Sequence, residues 1–240
     1  MDPAAPLLHW PHGATASVDM FWRWLHIVSA ILWIGLLYFF NLVSTPFVSE
    51  LDSGTRVRVV PRLMWRALNW FRWSALVTVL SGFAYFGELV GTDAKNGNGK
   101  AGPFFGTWII IWIVVWIIFY GLLRIGNKAL LFAGSTVVMI AASWLFLRLN
   151  SHGWESNRSL AIGIGGGMGL FLLLNVWGIV WRANKKTLRW MEATGGGTAM
   201  PPKLVTLSRQ SALTSRFSFY LTFFIIFFMA AASHFPLFGA

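Results

Sequence analysis

The sequence predicts an all-α fold, a polytopic membrane helix bundle of about six transmembrane helices with both termini outside (N-out/C-out). Three observations predict it. Apolar runs of roughly 20 residues, long enough to cross a bilayer, recur along the chain. Charged residues make up only 11% of the 240 residues, and hydrophobic ones 56%, where a soluble domain carries about 25% charged. The basic residues concentrate in alternate loops of the six-span reading.

Residues 1–20 hold no Lys or Arg and no apolar core, which excludes a signal peptide. They are expected to form a periplasmic N-terminal tail broken by Pro3, Pro6 and Pro11. Residues 21–240 are expected to form a single transmembrane helical domain. The first span covers residues 21–43 and ends before Pro46; the second covers 73–90 and the third 105–123. A polar break at 124–128 leads to the fourth, 129–147; the fifth covers 160–181 and the sixth 217–235. Gly- and Pro-rich connectors lie at 91–102 and 194–202.

Charge sets the orientation. Arg56, Arg58, Arg62, Arg66 and Arg72 follow the first span, and Arg124 and Lys128 follow the third. Arg182, Lys185, Lys186, Arg189, Lys203, Arg209 and Arg216 follow the fifth. The other loops hold only Arg23, Lys95, Lys100, Arg148 and Arg158. The positive-inside rule places the three basic regions in the cytoplasm and the chain, multi-pass, in a bacterial inner membrane. The net charge of +11 is then accounted for by topology and a lipid bilayer partner, with no nucleic acid. Trp22, Trp24, Trp65, Trp70, Trp73, Trp108, Trp154 and Trp181 lie near span ends, the level that indoles favour. The absence of cysteine excludes disulfides, thiolate metal sites and a covalently attached c-type haem within this sequence.

The histidines are His9, His12, His26, His152 and His234, all on the outer side of this topology. His26 lies about one and a half turns into the first span and His234 at the outer end of the last. Two imidazoles at similar depth on two helices are able to hold the iron of haem b from both faces. Ala230 and Ala231, one turn before His234, leave room for a flat macrocycle. Arg23 shares the helix face of His26 and suits a haem propionate; Ser29 and Trp33 continue that face. Arg148 and Arg158 are further outer-side cations for propionates or an anionic substrate. The competing reading of a span histidine is a hydrogen bond to a neighbouring helix. His9 and His152, on less rigid segments, are alternative ligands, and His9-x-x-His12 is a candidate metal pair.

The stretch Gly163-Ile-Gly-Gly-Gly-Met-Gly169 lies inside an apolar span and lacks the strand that a dinucleotide loop requires. Its glycines at four-residue spacing predict close helix packing, or room for a cofactor edge. Asn41 and Asn175 are expected to make interhelical hydrogen bonds. Glu88, at the outer end of the second span, is the candidate catalytic carboxylate for proton handling, against its reading as a hydrated interfacial acid. No chain of intramembrane acids suggests a proton channel.

Four stretches carry a resemblance: Arg23-Trp-Leu-His-Ile-Val-Ser-Ala-Ile-Leu-Trp-Ile-Gly35; Asn69-Trp-Phe-Arg-Trp-Ser74 with Leu80-Ser-Gly-Phe83; Asn175-Val-Trp-Gly-Ile-Val-Trp181 with Asn184 and Lys185; and Ser215-Arg216 with Phe227-Phe-Met-Ala-Ala-Ala-Ser-His-Phe235. Together they resemble the membrane domain of bacterial cytochrome c-linked urate oxidases. The resemblance implies oxidation of urate to 5-hydroxyisourate with electrons passed to cytochrome c, and puts His26 and His234 at the family's histidine positions in its first and last spans. The family continues from an outward C-terminus into a periplasmic cytochrome c domain. Here the sequence stops soon after His234 without a cysteine, so the cytochrome c is expected to be a separate protein. The family's second-span motif also has a carboxylate where this chain has Ser74.

Two functions follow as expectations. One is a membrane redox protein that binds haem b and passes electrons to a periplasmic cytochrome c, an oxidoreductase in which urate is a possible donor. The alternative is a non-catalytic transmembrane subunit packed against a larger respiratory or photosynthetic complex. A transporter is disfavoured, because helix-breaking prolines are absent from the expected spans.

Overall fold

The computed structural model describes residues 13–195 and 198–238. It is all-helical in these residues, with six helices long and apolar enough to cross a membrane. These are α1 (Ala14–Glu50), α2 (Ser53–Asn96), α3 (Ala101–Ile125), α4 (Lys128–Asn150), α5 (Asn157–Thr194) and α6 (Pro202–Ala231). His9 and His12, the candidate metal pair, lie outside the described residues.

Local chemistry sets the helix ends. The Asp52 carboxylate accepts the Thr55 N–H at 3.0 Å and caps α2. Gly126 takes a left-handed φ of 78° between α3 and α4, and the Asn127 side chain caps α4 through the Leu130 N–H. Ser156 caps α5, and its N–H and hydroxyl both donate to Asp93 near the end of α2. Pro202 opens α6 at a position where its missing N–H costs nothing.

The helices run further than the apolar windows suggest. α1 starts at Ala14 and passes through Pro46. A π-helical segment, Phe39–Ser44, precedes that proline, and the Thr45 hydroxyl donates to the Phe40 carbonyl, so the wider turn absorbs the break. α2 begins twenty residues before Trp73 and carries Pro61 inside it. α5 passes through a second π-helical segment, Val176–Val180, and continues as a basic amphipathic helix to Thr194. α6 starts at Pro202 and stops at Ala231, four residues short of the expected end.

α5 is the central helix. In its most apolar stretch 67% of residues are buried, against 28–33% in the other five helices. The glycine stretch explains this, and it serves two faces. Gly163 and Gly167 leave the space that the rings of Phe146 and Trp112 occupy, while Trp108 Nε1 donates to the Gly163 carbonyl at 2.7 Å. Gly165 faces α6, where an added Cβ would stand 3.0 Å from the Phe228 Cβ. α6 is tied in by a row of hydroxyls. Ser208 pairs with Thr187, Ser211 with Asn184, Ser215 with Asn41 and Ser218 with Asn175. Both span asparagines therefore do make interhelical hydrogen bonds.

Candidate functional site

Towards the end of the bundle opposite the basic loops, α1, α2, α5 and α6 splay around a mostly apolar cavity of about 540 Å³, with Trp108 of α3 also in its wall. This size suits a cofactor or a drug-sized ligand. α1 contributes Arg23, His26 and Trp33; α2 contributes Thr78, Gly82 and Tyr85.

His26 is held in one orientation. Its Nδ1 lies 2.8 Å from the Thr78 backbone carbonyl. A carbonyl only accepts, so Nδ1 carries the proton and Nε2 keeps its lone pair, the tautomer of a metal-ligating histidine. Gly82 packs against the ring, where an added Cβ would stand 2.7 Å from Nδ1 and from Cε1. The Thr78 hydroxyl donates to the Ser74 carbonyl at 2.7 Å, and its oxygen lies 3.0 Å from Ser29 Oγ, so polar groups of α1 and α2 also meet beside the imidazole.

Two cations mark the outer rim. The guanidinium carbons of Arg23 and Arg158 lie 5.6 Å and 5.4 Å from the centroid of the Tyr85 ring. Neither arginine forms an ion pair among the described residues, and Arg158 Nε is buried without a partner. Trp33, 4% exposed, likewise has a buried Nε1 with no partner. Gly165, Gly166 and Gly169 of α5 form a wall without side chains, and Ala230 and Ser233 close the side towards α6.

The structure gathers some of the residues singled out in the sequence and leaves others apart. Arg23, His26, Trp33 and Arg158 share the cavity. His234 does not line it: α6 has ended at Ala231, and His234 stands exposed in the following turn with its N–H donating to the Ala231 carbonyl. Arg148 is also outside the lining, on α4, with its guanidinium carbon 5.5 Å from the Trp144 ring centroid. Glu88 is half-buried three residues beyond Tyr85, outside the lining. His152 pairs in its loop with the buried carboxylate of Glu155 at 2.9 Å. No group of three His, Cys, Asp or Glu suitable for a metal ion occurs among the described residues.

Sequence reasoning missed Thr78, Gly82 and Tyr85. Their spacing of four and three residues puts them on one face of α2, which was the available signal.

No curated protein and no solved structure matches this chain. The model of the family described as Urate oxidase N-terminal matches residues 51–240, which covers α2 to α6 and all of the cavity wall except the part from α1. The chain belongs to the urate oxidase N-terminal family.

Proposed function

We propose that this chain is a redox protein of the bacterial inner membrane that binds haem b in the cavity and passes electrons to a periplasmic cytochrome c. The observation that carries the reading is the hydrogen bond from His26 Nδ1 to the Thr78 carbonyl, which leaves Nε2 as a free donor atom on a residue of the cavity wall. Haem b, when bound, supplies a one-electron carrier. The chain's own residues fit that group in three ways. His26 would ligate the iron, with Thr78 and Gly82 fixing the plane of its ring. Arg23 and Arg158 at the rim would neutralise propionates. The side-chain-free wall of Gly165, Gly166 and Gly169 leaves room for a flat macrocycle, and the apolar lining excludes water.

His234 would be a weaker candidate for a second iron ligand, since it lies in an exposed turn outside the lining. Electron carriage is favoured over turnover of urate. Among the described residues no carboxylate lines the cavity, and Ser74, where the related motif has its acid, is buried and donates to the Phe71 carbonyl. The positive-inside orientation would bring the cavity near the periplasmic face, within reach of a separate cytochrome c.

The test is the absorption spectrum of the detergent-purified protein. A Soret band that is lost in His26→Ala and retained in His234→Ala is the expected result. A colourless protein from haem-replete cells would overturn it, and co-purification of that colourless protein in fixed ratio with a respiratory or photosynthetic complex would point to a non-catalytic subunit.

A further inference from the structure

A second, smaller cavity of about 100 Å³ lies at the basic end of the bundle, between α3, α5 and α6. Tyr120, Arg182, Lys186 and Gln210 give it a polar lining. Arg182 and Lys186 are four residues apart on α5, so both project from one helix face. Neither makes a hydrogen bond or an ion pair among the described residues. The acids at this end are elsewhere: Asp52 caps α2, Glu192 accepts from Trp65 Nε1 at 2.7 Å, and Glu50 ends α1. None of them lines the cavity. Arg124 adds a third cation close by, its guanidinium carbon 4.9 Å from the Tyr120 ring centroid.

Uncompensated cations, a phenol and an amide around a small recess form a site for a tetrahedral oxyanion. We infer that this cavity binds the phosphate of an anionic phospholipid headgroup. Basic pockets between transmembrane helices on the cytoplasmic side suit that chemistry. The surface beside it favours a lipid over a free phosphate ion. Ile117, Ile113 and Ile110 follow Tyr120 at helical spacing along α3, and all are exposed, so an apolar track for acyl chains runs from the mouth of the recess along the membrane-facing side.

The full chain in an uncharged detergent would be titrated with dioctanoyl phosphatidylglycerol, dioctanoyl phosphatidylcholine and inorganic phosphate, with the thermal midpoint as readout. The expected result is a rise with phosphatidylglycerol alone. In Arg182→Gln/Lys186→Gln, which removes two cations, the apparent affinity for it should fall about thirtyfold. Arg58→Gln/Arg62→Gln, which removes two cations of the same end away from the recess, should keep the response. Gln210→Glu, which retains both cations but adds a repelling charge, should lose it and serves if the double variant fails to fold. An unchanged response in Gln210→Glu, or an equal loss in Arg58→Gln/Arg62→Gln, would overturn the site. An equal rise with inorganic phosphate would overturn the lipid assignment.

Discussion

The imidazole of His26 occupies the space that a side chain on Gly82 would need, with a Cβ there falling 2.7 Å from the ring. One turn back on the same face of α2, the Thr78 carbonyl accepts a hydrogen bond from Nδ1–H. The ring is thus fixed by an absence on one side and a hydrogen bond on the other, and both come from α2 backbone positions.

Gly82→Ala should therefore act on His26. The added methyl displaces the ring and lengthens its bond to Thr78, at an overpacking cost of about 1–3 kcal/mol. A lower thermal midpoint together with a reduced Soret absorbance per mole of protein is the expected pair of readings. Gly87→Ala, on the same helix with nothing within 4 Å of its added Cβ, should leave the Soret absorbance near wild type and raise the midpoint slightly.

The rim cations should be unequal. Arg158 is half-buried and Arg23 exposed, so solvent screens Arg23 more. Removing a charge-assisted hydrogen bond costs ~1.5–3 kcal/mol. Haem titration into apoprotein should show Arg158→Ala weakened by roughly tenfold, Arg23→Ala by less, and Arg148→Ala hardly changed. An Arg148→Ala defect as large as that of Arg158→Ala would contradict the assignment of the rim.

The six spans were legible because hydropathy reports directly on burial in lipid. Helix length was not, since α2 from Ser53, α5 to Thr194 and α6 from Pro202 continue as helices whose charged residues lower any apolar window. The cavity was legible through α1 and, in Arg158, the glycine stretch and Ala230, partly through α5 and α6, but not through α2. His26, Arg23 and Trp33 share a helix face, but the group that orients His26 is a backbone carbonyl, which every residue has and no motif marks. His234 was displaced by a signal that was present: Pro236 follows two residues later and disfavours α conformation at Phe235, so α6 frays before the histidine. Arg158 and Arg148 could not be ranked without knowing that α5, not α4, walls the cavity.

The cap of α2 gives a pH prediction. Hydrogen bonds from Thr55, from its side chain and then its N–H, hold the Asp52 carboxyl below its ordinary value of 3.8. A depressed folded value means that the cap is fully present above the unfolded value and is lost as pH falls through the folded one. Protection of the Thr55 amide, its exchange rate relative to the unstructured chain at the same pH, should hold from neutrality down to the ordinary carboxylate range and fall below it. Asp52→Asn should abolish the pH dependence while keeping a capped N–H.

Gly167, one of the α5 glycines that admit an aromatic ring, and Gly121 of α3 place one substitution in two settings. At Gly167 the added Cβ collides with the Trp112 indole, a fully buried ring with little freedom to move. At Gly121 of α3 nothing lies within 4 Å. A helix-interior glycine is worth roughly 0.5–1 kcal/mol less than alanine when space is free. Gly121→Ala should thus raise the thermal midpoint slightly, and Gly167→Ala should lower it by about 1–3 kcal/mol equivalent through overpacking. Pairing Gly167→Ala with Trp112→Leu relieves the collision and should recover part of the loss. Equal midpoints for the two single alanine variants would mean that Trp112 does not rest against α5 at Gly167.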